Sequence, residues 1–508
     1  MAFGDRVKYD LCYVPVFLSA LLAIQALAYR NIPEGSMLHV KLTCAVGSFA
    51  SRPGAPVAGV LIAPVKSGGE TVLPAGSMIY GHVKSVRRIG YGVIHEAASL
   101  DLVFDAIALP GGAVFPAAMK LVTVDTGREE VTPRGTIREA RSTSSWGNHV
   151  AGYIRSAMLL DVHVQIAAWA VKSVIATVPE PEIYLPSGTE LTLALISSVR
   201  TLAVSRADED SPQLSEDENE SLAPVISDLP ERSFAPRRKS TERPADLVNL
   251  LFIGSPAQIA TAFTAAGWTV PRPDTFRSGL SSAFAIAFDH GDRGMPMSPM
   301  RINGVGPDMT WEKGFNDVSK RHHIRLWKLA ETWHGQNLWV GAATRDVEIG
   351  YLRSGKMMTH RVEELVDHER DKIAYDLTFA TCADALEWWD RPNVPRLTRN
   401  ATGDRMETDG QLAVLRLNDC DHPREITAVR DTLPVHGKLW QRIVRREVLN
   451  TRNELLRANI YWKGYEGFRF LMSAVQNRRR IPEPDAPQRP NLASKLQPTG
   501  LTSVVSFR

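Results

Sequence analysis

Three groups of residues in this chain have types and spacings that could bind or react. The first is Arg321, His323 and Arg325, which alternate along Arg321-His322-His323-Ile324-Arg325-Leu326. On a strand with Ile324 and Leu326 turned inward they share the other face, because side chains alternate with period two. Two guanidiniums and an imidazole in a row would hold a phosphate or carboxylate through charge-assisted, partly bidentate hydrogen bonds. The competing reading pairs them with the acidic residues Glu363, Glu364, Asp367, Glu369 and Asp371 as a structural network.

The second group is His360, Glu364 and His368, spaced i, i+4 and i+8. On a single helix they would share a face and could ligate a metal together with His322. A solvated helix start explains the same residues, and the stronger His-Glu-x-x-His arrangement is absent. The third group is Cys382 and Cys420. In an oxidising compartment a bridge between them would contribute about 3 to 4 kcal/mol; otherwise both, like Cys44, are small buried hydrophobes. Other chemistries lack support. Gly350-Tyr351-Leu352-Arg353-Ser354-Gly355-Lys356-Met357 approaches a phosphate-binding loop, but Met357 stands where a hydroxyl would hold magnesium. Neither Gly-x-Ser-x-Gly nor Cys-x-x-Cys occurs, and the sequence specifies no cofactor.

The elements that must position these residues fall into two halves. The 508 residues, 44% hydrophobic and 23% charged, suffice for two or three cores, and a net charge of +3 gives no whole-molecule argument for nucleic acid. From Ala207 to Glu231 the chain is acidic and almost free of aromatics, which predicts a disordered connector over 206–243. Before it, at 29–205, the motif Pro-x-Gly recurs at Pro33, Pro74 and Pro186, each time opening an alternating apolar run such as Leu38-His39-Val40-Lys41-Leu42. Further strands are expected at Val57 to Val65 and Leu100 to Leu109, and one helix at Val150 to Val178, giving an all-β barrel or sandwich with one helix. After the connector, at 244–480, Leu247 to Ile253 reads as a strand, with Ser255 capping a helix that starts at Pro256. A strand at Leu338 to Thr344, a helix at Asp367 to Thr381 and a strand at Gln411 to Leu417 make this half an α/β or α+β layered domain. The residues from 481 to 508 read as a disordered tail.

Two family resemblances follow. Leu250-Leu251-Phe252-Ile253-Gly254-Ser255, Ala266-Gly267-Trp268, Arg321 to Trp327, Trp339-Val340-Gly341-Ala342-Ala343-Thr344-Arg345-Asp346, Thr359-His360-Arg361 and Glu369-Arg370-Asp371, in that order, resemble the LssY C-terminal domain over about residues 244–420. The resemblance implies a bacterial envelope-associated module without an assigned chemistry. In some relatives that domain follows a lipid-phosphatase-type membrane domain; the Pro-Ser-Gly-His string and multiple apolar spans of that domain are missing here, so its activity is not transferred. The repeated turn and Pro181-Glu182-Ile183-Tyr184-Leu185-Pro186 resemble the β-barrel of TrbI-type secretion-channel proteins, which implies an envelope barrel.

An apolar run from Tyr13 to Ala28, ending Ala26-Leu27-Ala28, suits an export signal at 1–28; it is shorter than the roughly 20 residues of a spanning helix, and the alternative is a membrane anchor through 13–28. Cleavage would remove Cys12 and place the chain in the periplasm or cell envelope. From Lys438 to Arg480 the chain is strongly basic with Trp440, Tyr461, Trp462 and Tyr465 interleaved, which suits an anionic membrane surface or a solvated amphipathic helix. The expected function is therefore binding or structural, toward an anionic envelope component or an envelope protein. The alternative is a metal- or phosphate-dependent hydrolase built on His322, His323, His360, Glu364 and Arg325. Amino-terminal sequencing of the native chain is expected to begin at Tyr29; an intact Met1 would remove the cleaved-signal reading.

Overall fold

A computed structural model describes residues 29–68, 70–90, 97–126, 129–139, 182–202, 213–235, 243–271, 300–314, 321–351 and 358–424, with 444, 445, 448, 449, 468 and 472. The expected leader at 1–28, the helix at 150–178, the tail at 481–508 and nearly all of the basic stretch lie outside the described residues.

Six antiparallel strands close a barrel: β1 (Met37–Leu42), β2 (Pro56–Leu61), β3 (Met78–Arg87), β4 (Ser99–Ala108), β5 (Val114–Val124) and β6 (Glu190–Leu195). Neighbours run β4-β3-β2-β1-β6-β5 and return to β4, so the ring has no open edge. Alternation decides the inside: Ala117, Met119 and Leu121 of β5 are buried while Ala118 and Lys120 face out. The Pro-x-Gly repeat is one turn used three times. Gly35, Gly76 and Gly188 have φ of 81°, 92° and 89°, which a Cβ would disfavour. In each case the next residue, Ser36, Ser77 or Thr189, donates its hydroxyl to the proline carbonyl at 2.7 to 2.8 Å. Gly81 of β3 serves differently, since a Cβ there would sit 2.0 Å from the Val103 carbonyl oxygen where the strand pairing shifts register.

The second half is a seven-stranded mixed sheet. Its strands are β7 (Leu250–Ile253), β8 (Met309–Gly314), β9 (Arg321–Trp333), β10 (Gln336–Tyr351), β11 (Met358–Val362), β12 (Ala383–Asp390) and β13 (Gln411–Leu417). They run β8-β9-β10-β7-β13-β12, with β11 beside β10. Only β7 and β13 pair in parallel among these. All four residues of β7 are buried because both faces of the sheet are covered. Leu250 and Phe252 pack with helices α2 (Pro256–Ala265) and α3 (Asp367–Phe379), while Leu251 and Ile253 face the opposite core. Ser255 caps α2 in a reciprocal box with Gln258, and Pro256 fills the first helical position, as the sequence predicts.

The opposite core overturns one expectation. The segment read as a disordered connector carries a helix, α1 (Glu216–Asp228), and a strand at Arg232–Ala235 that pairs with Arg243–Leu247. Ser215 and Glu218 form a capping box, and Leu222 and Ile226, four apart, are buried against the sheet with Trp333 and Leu338. Acidic composition concealed two anchoring side chains on an otherwise solvated helix. Leu222→Ala is expected to cost about 2 to 5 kcal/mol in urea denaturation of the full chain; an unchanged midpoint would show that α1 contributes nothing to this core.

Candidate functional site

The residues with chemical potential converge where barrel and sheet domain meet. Lys41 on β1 and Glu190 on β6 come from the barrel; Lys313 on β8 and Lys372 and Asp376 on α3 come from the sheet domain. Lys313 Nζ lies 2.8 Å from Glu190 and 2.9 Å from Asp376, and donates a further bond to the Ala266 carbonyl at 3.2 Å. Lys372 also bridges the two carboxylates, directly to Glu190 and at 3.2 Å to Asp376. Lys41 Nζ lies 3.3 Å from Glu190, and the Trp268 indole donates to Asp376 at 3.2 Å. The Asp376 side chain is completely buried and the lysines are 12% to 15% exposed. Burial alone would raise Glu190 and Asp376, but the three ammoniums hold both carboxyls below their ordinary range. Lys41 is instead pushed down, chiefly by its own burial.

A second cluster adjoins the first through Asp125, which follows β5 and whose N–H donates to the Glu190 carbonyl at 2.8 Å. His322 on β9 stands between two carboxylates: Nε2 is 2.8 Å from Asp125 and Nδ1 is 2.5 Å from Glu369 of α3. Arg345 on β10 donates to the other Asp125 oxygen at 2.9 Å and lies 3.8 Å from Glu363, which in turn meets His368 at 3.1 Å. Burial would raise Asp125, yet His322, Arg345 and Lys372 hold it down at about 2. For His322, burial disfavours the charge, but Asp125 and Glu369 outweigh it and raise the imidazole above its usual value. Glu369 is raised by burial, which its cationic neighbours only partly offset. An apolar contact completes the seam, with Phe379 of α3 packed on Val60 and Ile62 of the barrel.

Most of the residues singled out in the sequence meet different partners, although Arg321 and His323 share Asp346. Arg321, His323 and Arg325 do share one face of β9, but both faces are covered, and they are 7%, 4% and 3% exposed. They do not form an open cationic face. Arg321 pairs with Glu312 at 3.2 Å and Asp346 at 2.9 Å, Arg325 with Asp246 at 3.0 Å, and His323 meets Thr344 at 2.9 Å. The expected acidic partners at 363–371 instead serve His322, Arg345, His368 and Arg370, apart from Glu364, which pairs with Arg405 at 2.7 Å. His360, Glu364 and His368 do not share a helix. His360 lies on β11, Glu364 in the bend after it, and His368 in the first turn of α3. Among the described residues no three His, Cys, Asp or Glu side chains gather as a metal site, and His322 already meets carboxylates at both ring nitrogens. The phosphate-loop look-alike starts at the end of β10 with Gly350 and Tyr351, and its residues 352–357 lie outside the described residues; β11, which follows, pairs antiparallel with β10. Cys382 and Cys420 are joined by a disulfide that ties the entry of β12 to the exit of β13, and Cys44 is free and buried.

Sequence reasoning missed Lys41, Asp125, Glu190, Lys313, Lys372 and Asp376. One signal was present. In the repeated turn the residue after Ser or Thr is Met37, then Met78, then Glu190, so a carboxylate replaces an apolar residue at equivalent positions. Lys372 and Asp376 also stand four apart on one helix.

Residues 227–412 match the family model described as LssY C-terminus, the family whose spaced motifs the sequence carries. No curated protein matches the chain. Among solved structures, ComB10 of the Com Type IV secretion system of Helicobacter pylori is similar at 13% identity and a TM-score of 0.20, over 35% of this chain and 94% of that one.

Removing one member of a buried ion pair strands the others, which typically costs about 3 to 5 kcal/mol. Glu190→Gln is expected to lose that much in chemical denaturation, while Glu34→Gln, at an exposed barrel turn, stays within about 0.5 kcal/mol. Arg325→Ala is expected to behave like Glu190→Gln because it strips Asp246 of a buried cation. Equal small losses in all three would show that burial overstates the network.

Proposed function

We propose that this chain, with its LssY C-terminus segment, is an exported envelope protein whose barrel holds the sheet domain rigidly for binding, not for catalysis. The observation that carries this reading is the allocation of charge. Of the candidates for a hydrolase, His322 meets Asp125 and Glu369, His323 meets Thr344 and Asp346, Arg325 meets Asp246 and Glu364 meets Arg405, the His360 side chain lying outside the described residues. The cross-domain contacts absorb Asp125, Glu190 and the three lysines. A general base or metal set needs convergent groups around a place for substrate, and pairwise burial supplies the opposite.

The disulfide supports the compartment, since such bonds persist outside the reducing cytosol. The partner is an anionic envelope component or an envelope protein, recruited through surface cations. Arg445, from the basic stretch, pairs with Glu182 of the barrel half and lies over the Phe49 ring. Cell fractionation followed by thiol labelling is the test of compartment: the chain is expected in the envelope or periplasm with Cys382 and Cys420 protected until reduction. Full-length protein is expected to be retained on phosphatidylglycerol vesicles and released by salt, because screening shortens the reach of surface charge. A cytosolic chain with reactive thiols would defeat the compartment. Equal retention on neutral vesicles, or none, would leave the protein partner as the binding reading.

A further inference from the structure

The cluster around His322 has a property that pairing alone does not require. Both ring nitrogens lie at hydrogen-bonding distance from carboxylates, Nε2 from Asp125 of the barrel and Nδ1 from Glu369 of the sheet domain. A neutral imidazole carries one N–H, so with two ionised carboxylates one contact would set a lone pair against a carboxylate oxygen. The geometry therefore needs one more proton than neutral histidine supplies. It resides on His322 Nδ1 or on the facing Glu369 oxygen, and either location preserves the hydrogen bond between them.

The joined clusters hold the cations Lys41, Lys313, Lys372 and Arg345 and the carboxylates Glu190, Asp376, Asp125 and Glu369, with the ion pair of Glu363 and His368 at their edge. Loss of the shared proton would set a ring lone pair of His322 against an ionised carboxylate in a nearly dry seam, and an unsatisfied buried contact of that kind is costly. Other groups around the ring include Lys313, its cross-strand neighbour on β8; Arg345 on β10; Lys372 on α3; Glu363 beside Arg345; and the Trp268 ring at 6.2 Å. Glu369 Oε1 is buried with no hydrogen-bond partner among the described residues, as suits a carboxyl sharing its proton through the other oxygen. Ion pairs link Asp125 through Arg345 and Glu363 to the exposed His368.

We propose that the proton shared by His322 and Glu369 is a latch between the two domains, closed while it is bound and released when rising pH removes it. This deepens the rigid-coupling reading and rests on it. The sign follows from linkage. His322 is raised above its unfolded value, so its contribution is complete below about pH 6.5 and disappears as pH climbs through the higher folded value. Asp125 is held at about 2, so its contribution is present above about pH 4 and fails only in strong acid. The latch is closed between these limits.

The test is differential scanning calorimetry of the full chain from about pH 6 to about pH 10, a span chosen to bracket an elevated imidazole. Wild type is expected to melt in one transition at the lower end and in two at the upper end. Glu369→Gln is expected to melt in one transition throughout, because its amide donates permanently to Nδ1 of a neutral ring. One wild-type transition at every pH would overturn the latch and leave the coupling reading standing; two at every pH would remove both. Splitting of Glu369→Gln with the wild-type pH dependence would also overturn it. Should that variant fail to fold, nitrogen NMR of labelled histidines in wild type decides: the His322 proton must persist to a pH above the ordinary imidazole value of about 6.5, and its loss at or below that value would refute the proposal.

Discussion

Two carboxylates, Glu190 and Asp376, share three ammoniums in a seam that water barely reaches, and the mutual placement of the two domains depends on that arrangement. Burying five charges is expensive, and pairing recovers the expense only when each group meets its counterpart at close range. An apolar seam would tolerate sliding; this one does not, because a shift of a few ångströms would strand an ammonium or a carboxylate. The Phe379 contact adds cohesion, while the ionic lattice sets the register.

The same logic runs through the sheet domain. β9 presents Arg321, His322, His323 and Arg325 in sequence, and each side chain is buried and meets an acid or a hydroxyl. A polar run that looked like a reactive face is an internal framework. The strand Arg243–Leu247 supplies Asp246 to Arg325 and α3 supplies Glu369 to His322, so charges on either side of β9 are met by the elements that cover them. Arg370 shows the same solution on α3: 2% exposed, it is clamped by Asp367, Asp371 and Asp409 and stacked on Trp388.

Much of the architecture was legible because it follows from local periodicity. The alternating runs at Leu38 to Leu42 and Leu191 to Leu195 do form barrel strands, and Ser255-Pro256 does start a helix. The order of spaced motifs pointed to the family whose model matches residues 227–412. What failed were inferences needing tertiary knowledge. Alternation places Arg321, His323 and Arg325 on one face but says nothing of what covers that face. The i, i+4, i+8 spacing of His360, Glu364 and His368 assumes a continuous helix, whereas the backbone is strand, bend and helix. Composition marked 206–243 as disordered because it averages over α1, where Leu222 and Ile226 are the buried anchors. The seam was invisible because its members lie as far apart as Lys41 and Asp376, with only the substitution of Glu190 into a repeated turn as a trace.

The parallel pairing of β7 with β13 has a bearing on how the molecule is made. These strands lie side by side at the middle of the sheet although residues 250 and 413 are separated by most of the domain. As the nascent chain lengthens, the centre of this sheet stays incomplete until its final strand has been synthesised, a high-contact-order topology that slows assembly. The barrel closes earlier, once β6 is available, and meanwhile displays Lys41, Asp125 and Glu190 to solvent, where their charges keep that wall soluble. The groups that later fuse the two units thus act first as protection against premature aggregation.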